Sequence, residues 1–131
     1  MKYFICALNT FNLGIPADLT GRIINAERTQ TDIFETEDDI AFVSIPALFR
    51  QKNSTLHGLV LKTGAVICKW PGSIILLTPR IEIDLEILDE EIRPLPDSFS
   101  GAFFFVKGAF FSAGQNMIMI IDPEKLLEKI I

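Results

Sequence analysis

The sequence predicts an all-β fold closed by one short C-terminal helix. Three observations carry this. Nine or ten short apolar runs, separated by turn residues, follow one another along the chain, the pattern of a sandwich or of small barrels. Ile81–Ile87, I-E-I-D-L-E-I, alternates without a break, so it is a strand with one aliphatic and one acidic face. Met117–Ile121 is a continuous apolar run, too short for a helix core and suited to a strand buried on both faces. It is followed by Asp122-Pro123 and by Leu126, Leu127, Ile130 and Ile131 at helical spacing. Asp122 offers a carboxylate to the free N–H groups of the next turn. Pro123 fits the first helical position, where its missing N–H costs nothing. Glu124 suits the positive helix start.

The other elements follow in order. Tyr3–Leu8 and Phe11–Ile15 read as strands around an Asn9-Thr10 turn, the second reaching Pro16. Ala17–Ala26 suits a short helix or an irregular strand, with Gly21 weakening the helix. Glu27–Asp39 is polar and acidic and reads as a mobile loop. Ile40–Ile45 is a strand stopped by Pro46, with a helical turn over Ala47–Arg50. Leu56–Leu61 and Ala65–Trp70 flank Lys62-Thr63-Gly64, a hairpin turn signal. Pro71-Gly72 breaks the chain before the strand Ser73–Leu77. Glu90–Pro96 is an extended connector, because Arg93 and Leu95 both precede prolines. Phe103–Val106 and Ala109–Phe111 flank Lys107-Gly108 as another hairpin, and Gly114-Gln115-Asn116 turns into the last strand. No internal repeat, heptad or low-complexity segment is present.

Composition narrows the function. A chain of 131 residues is one domain, or two very small subdomains sharing a core. It is 49% hydrophobic and 22% charged, as a packed globular protein is. The mean hydropathy of +0.35 is high, but no apolar run approaches the roughly 20 residues that cross a bilayer. The excess points to a large core, a partner surface, or both. A net charge of −5 disfavours nucleic acid and anionic membrane surfaces, which require a basic face. The opening M-K-Y-F-I-C-A-L-N breaks at Asn9 and lacks a small-residue cleavage site, so it reads as the first strand and not as a signal peptide. Cys6 and Cys68 lie in apolar strands and read as buried thiols of a cytoplasmic protein; a Cys6–Cys68 disulfide has little support.

Catalytic constellations are scarce. His57 is the single histidine, and with Cys68 it could form a nucleophile–base pair across a hairpin. The plainer reading is a half-buried, hydrogen-bonded histidine beside a packed thiol. Zinc would need more Cys or His ligands at recognisable spacing. Glu82, Asp84 and Glu86 share one strand face and read as solvated. Asp38-Asp39 and Asp89-Glu90-Glu91 fall in polar connectors. No phosphate-cradling glycine loop occurs. The phenylalanines at 103, 104, 105, 110 and 111 lack the basic groove of a base-stacking platform and read as core or protein interface. These residues imply neither cofactor nor metal, and no enzyme.

Several blocks then match one family in order and spacing. They are F-I-C-A-L-N-T-F-N-L-G-I-P from Phe4 to Pro16, A-F-V-S-I-P-A-L-F from Ala41 to Phe49, the segment Gly64–Leu77, the linker E-I-R-P-L-P from Glu91 to Pro96, Gly101, and Asn116–Leu127 with its E-K-L-L helix. Together they resemble the CheW-like domains of bacterial chemotaxis coupling proteins over nearly the whole chain, as a single domain spanning residues 1–131. The resemblance implies two small five-stranded SH3-like barrels packed together, with a C-terminal helix. It implies a non-catalytic adaptor that joins chemoreceptors to the regulatory domain of a histidine kinase, through a groove between the barrels and through barrel edges. Candidate contacts are Ile15, Ile23 and Ile24 in the first barrel and Ile67 and Lys69 in the second hairpin. For each isoleucine the plainer reading is barrel core, and for Lys69 a solvated side chain.

The chain also departs from the family. Where the family commonly carries N-L-R-G before its third strand, this sequence has Glu35-Thr36-Glu37-Asp38-Asp39 and no arginine. The family aspartate of P-x-x-D-L falls at Ser44, and another at Lys69. An acidic stretch in place of a basic one changes the preferred partner surface. Two other readings stand beside the adaptor: the same fold associating with itself or another protein through sheet edges, and a small enzyme using His57 and Cys68.

Overall fold

The computed structural model describes residues 1–8, 11–19, 22–29, 32–48, 60–67, 73–96, 104–112 and 116–130. Among them lie ten strands, β1 (Lys2–Leu8), β2 (Phe11–Pro16), β3 (Arg22–Thr29), β4 (Phe34–Glu37), β5 (Ile40–Ser44), β6 (Val60–Ile67), β7 (Ser73–Thr78), β8 (Ile81–Glu86), β9 (Val106–Phe111) and β10 (Met117–Ile121). Two α-helices, α1 (Ile45–Leu48) and α2 (Pro123–Ile130), each follow directly on a strand. The fold is all-β, as the spacing of apolar runs requires. The chain divides into two compact units: unit 1 combines Met1–Asp18 with Glu82–Ile131, and unit 2 is Leu19–Ile81.

Unit 1 holds a five-stranded sheet in the order β8-β1-β2-β10-β9. β1 and β2 form the expected antiparallel hairpin, from Tyr3 opposite Pro16 to Leu8 opposite Phe11. β10 runs parallel to β2, with Ile118 opposite Asn12 and Ile120 opposite Gly14. Its burial on both faces follows: Ile118, Ile120 and Ile121 are buried and Met117 and Met119 half-buried. Tyr3, Ile5, Ile87, Ile92, Ile118 and Ile120 form one core cluster, joined by Leu85 and Phe110. α2 starts as the sequence dictates. The Asp122 carboxylate accepts the Lys125 N–H at 3.3 Å, and Leu126 is fully buried.

Unit 2 holds a second five-stranded sheet, β3-β6-β7-β5-β4. β5 runs parallel to β7, with Ala41 opposite Ile74 and Val43 opposite Leu76. Ile75 and Leu77 form its core cluster with Ile24, Ile40 and Phe42 packed against them. This sheet must curl. Its outermost strands are joined by the short link from Thr29 to Phe34, whose five residue steps reach at most about 18 Å. Four inter-strand spacings laid flat would span about 19 Å.

Four sequence expectations are corrected. Lys62-Thr63-Gly64 is not a turn. β6 runs straight through it, with Thr63 opposite Thr78 and Gly64 opposite Leu77. Lys107-Gly108 likewise lies inside β9, where Gly108 faces Ile120. A strand glycine marks a close approach as well as a turn. Glu27–Asp39 is not a loop throughout: β3 extends to Thr29, and β4 pairs with β5 through a tight Asp38-Asp39 turn. Both aspartates have positive φ, 51° and 64°, the conformation of a two-residue hairpin turn that twists with its strands. The strand expected to stop at Pro46 ends at Ser44, and the helical turn expected from Ala47 begins at Ile45, with Pro46 in its first turn, where no helical hydrogen bond is lost.

Candidate protein-binding surfaces

Of the proposed contact residues, Ile15 belongs to unit 1, and Ile23, Ile24 and Ile67 belong to unit 2 and not to the same barrel as Ile15. Ile15, on β2, is fully buried. Ile24, on β3, packs on the core of unit 2, and its neighbour Ile23 points the other way and is 38% exposed. Ile67 ends β6 opposite Ile74. Lys69 lies outside the described residues, as do His57, Cys68 and Gly101.

Cys6 is a buried free thiol. Burial pushes its pKa up to about 12, with Glu82 adding in the same direction, so at neutral pH it is protonated and a poor nucleophile. No group of three or more His, Cys, Asp or Glu among the described residues could hold a metal ion. The acidic face of β8 is partly neutralised: Lys2 meets Asp84 at 3.0 Å, and the Met1 ammonium meets Glu86 at 2.7 Å. No described helix is long and apolar enough to cross a membrane.

The sheet edges are where the two units differ. In unit 1 the outer side of β9 is occupied by the connector from β8. After a short 3-10 turn over Asp89–Glu91, Arg93 donates its N–H to the Ala109 carbonyl and accepts the Ala109 N–H, each at 2.8 Å. Its guanidinium lies over the Phe111 ring, 5.9 Å from the centroid. Lys107 reaches Asp89 at 3.4 Å. Gly108 makes this approach possible: a Cβ there would lie 2.5 Å from the Arg93 carbonyl oxygen and 2.7 Å from Ile92 Cγ2.

In unit 2 the outer strand is β4, and no described strand lies beyond it. The Ser44 N–H donates to the Ile33 carbonyl at 2.8 Å. In an antiparallel pair this fixes Ile33, Glu35 and Glu37 as the residues bonded to β5, and turns the N–H and C=O of Phe34 and Thr36 outward. Phe34 and Ile33 are 39% and 38% exposed. Glu37, Asp38 and Asp39 are exposed and Glu35 is half-buried. Sequence reading missed this edge because a strand polar on both faces shows no hydrophobic alternation.

A solved structure described as the scaffolding protein TtCheW from Thermoanaerobacter tengcongensis superposes with a TM-score of 0.63 at 15% sequence identity, over 92% of this chain and 82% of that one. The fold is CheW-like. This agrees with the strand count, the two five-stranded sheets and the C-terminal helix expected from the motifs. No protein-family model matches the sequence, and no curated protein sequence matches it either. At such low identity the CheW-like fold is kept by its burial pattern. The buried Leu13, Ile15, Val43, Leu76, Leu77, Ile118 and Ile120 all sit on strands of the two sheets.

Proposed function

We propose that this chain is a non-catalytic adaptor, a single CheW-like domain of a cytoplasmic chemotaxis or related signalling system that binds a histidine kinase regulatory domain, a chemoreceptor, or both. The observation that supports it is structural likeness to a scaffolding protein across 92% of the chain. A buried, protonated Cys6, and a sequence without a phosphate-cradling glycine loop, favour docking over chemistry. Ile23 is the exposed member of the proposed contact set, whereas Ile15 is buried in unit 1 and Ile24 packs on the core of unit 2.

The acidic β4–β5 hairpin makes the kinase or another basic surface the better partner than an acidic receptor tip. Between Arg28 and Arg50 the chain has five carboxylates, Asp32, Glu35, Glu37, Asp38 and Asp39, and no Lys or Arg. Against an acidic surface they raise a repulsive field that is strongest at low salt. The test is a titration of the purified chain with a histidine kinase regulatory domain and with a receptor tip from the same cell, at two ionic strengths. Saturable kinase binding supports the reading. Failure of both partners to bind sinks it.

A further inference from the structure

The two sheets have the same wiring. In each, a central parallel pair (β2/β10, β7/β5) is flanked by antiparallel neighbours, and the strand before the helix also pairs with an outer strand (β9, β4). The helix caps fix the correspondence. Ser44 Oγ accepts the Ala47 N–H at 3.3 Å, as the Asp122 carboxylate accepts the Lys125 N–H. Ala41 stands three residues before Ser44 and faces Thr36; Met119 stands three before Asp122 and faces Ala109. Thr36 is therefore the counterpart of Ala109, and Glu35 that of Gly108. Ala109 is the residue whose outward N–H and C=O are taken by Arg93. The outward N–H and C=O of Thr36 have no such partner among the described residues.

The cause lies in connector length. From β8 to β9 the chain has residues 87–105, enough to fold back along the outer side of β9. From β3 to β4 it has residues 30–33 alone, too few to do the same.

We propose that the outer edge of β4, centred on Thr36, takes up an extended segment of another protein that carries basic residues, as a strand added to the sheet. Its main chain would pair with the outward N–H and C=O of Thr36 as a regular added strand, and its basic side chains would meet Glu35, Glu37, Asp38 and Asp39. Two copies of this chain joined edge to edge at β4 would set Glu35 and Glu37 against their own counterparts, so the single-sign charge selects against self-pairing. It does not oppose a basic strand, and Phe34 and Ile33 offer apolar contact beside it.

The site deepens the adaptor reading, since it is the acidic hairpin that reading turns toward a basic partner, and it is tested without kinase or receptor so that the two can fail separately. The probe is a short capped peptide alternating arginine with isoleucine or threonine, compared with its glutamate-for-arginine counterpart. Binding is followed by fluorescence anisotropy and by amide shifts and exchange at Phe34 and Thr36. The basic peptide binds, slows exchange of the Thr36 amide, and loses affinity as salt rises; the acidic one does not bind. Thr36→Pro removes the outward N–H, leaves the bonds to β5, and weakens binding about tenfold, with circular dichroism confirming the fold. Glu35→Gln/Glu37→Gln, which keeps both side-chain shapes, weakens it about fivefold at low salt. Unchanged affinity in a folded Thr36→Pro chain overturns the proposal. So do shifts confined to the acidic face of β8, or self-association of the chain that Thr36→Pro abolishes.

Discussion

In unit 1 the outer strand β9 carries Arg93 along its free side, and in unit 2 the matching strand β4 carries nothing that the described residues supply. The wiring of the two sheets is otherwise the same. The difference shows that a strand edge is closed by a connector long enough to fold back along it, not by the sheet itself. Unit 1 places glycine at position 108, where main chain approaches from outside. Unit 2 places Glu35 at the equivalent position, so the close crossing that Arg93 makes over Gly108 is not available there, while its carboxylate suits a basic side chain.

Each strand-to-helix junction is held by a fully buried aliphatic residue, four positions after the cap in α2 and one position after it in α1. Leu126 of α2 and Ile45 of α1 are both fully buried. Leu126→Ala and Ile45→Ala should each cost about 3 kcal/mol in urea unfolding. A loss under about 1 kcal/mol for Ile45→Ala would show that α1, unlike α2, is not anchored by its buried aliphatic side chain.

The edge comparison predicts a smaller but more selective effect. Gly108→Ala puts a methyl against the Arg93 carbonyl and should cost about 2 kcal/mol, with loss of exchange protection at Ala109. Glu35→Ala should change stability by less than about 0.5 kcal/mol. Equal effects at the two positions would mean that Arg93 does not close unit 1.

The caps come next. Ser44→Ala and Asp122→Ala should each cost about 1 kcal/mol and add in the double variant, because each removes one acceptor from one helix start. Smallest is the hairpin turn peculiar to unit 2. Asp39→Gly relieves a side chain held at positive φ and should raise the unfolding midpoint by a gain of about 0.5–1 kcal/mol. A lower midpoint would show that the Asp39 side chain makes contacts worth more than the backbone strain.

Legibility in the sequence tracked how local the cause was. Asp122-Pro123 and the alternation of Ile81–Ile87 carry their reasons within a few residues, and both elements were placed correctly. The glycines at 64 and 108 were misread because their reasons lie across the sheet: Gly64 between Ile24 and Leu77, Gly108 beside Arg93. Arg93 could be read as extended from the proline that follows it, but its partner Ala109 could not be read at all. β4 escaped because edge strands obey charge and not periodicity. Of the contact residues, Ile15 and Ile24 illustrate the same limit, since a barrel isoleucine has one sequence signature whether it faces the core or a partner.

The division of the chain also sets an order of events during its synthesis. Unit 2 is one unbroken run, Leu19–Ile81, whereas unit 1 joins two flanking pieces. The β1–β2 hairpin leaves the ribosome early, but its central neighbour β10 is made after everything else in the sheet, and Asn12 waits for Ile118. The inner unit can therefore finish while the outer one still holds an unpaired β2 edge. That edge, with Leu13 and Ile15 destined for burial, is the stretch of nascent chain most in need of protection until β10 has emerged.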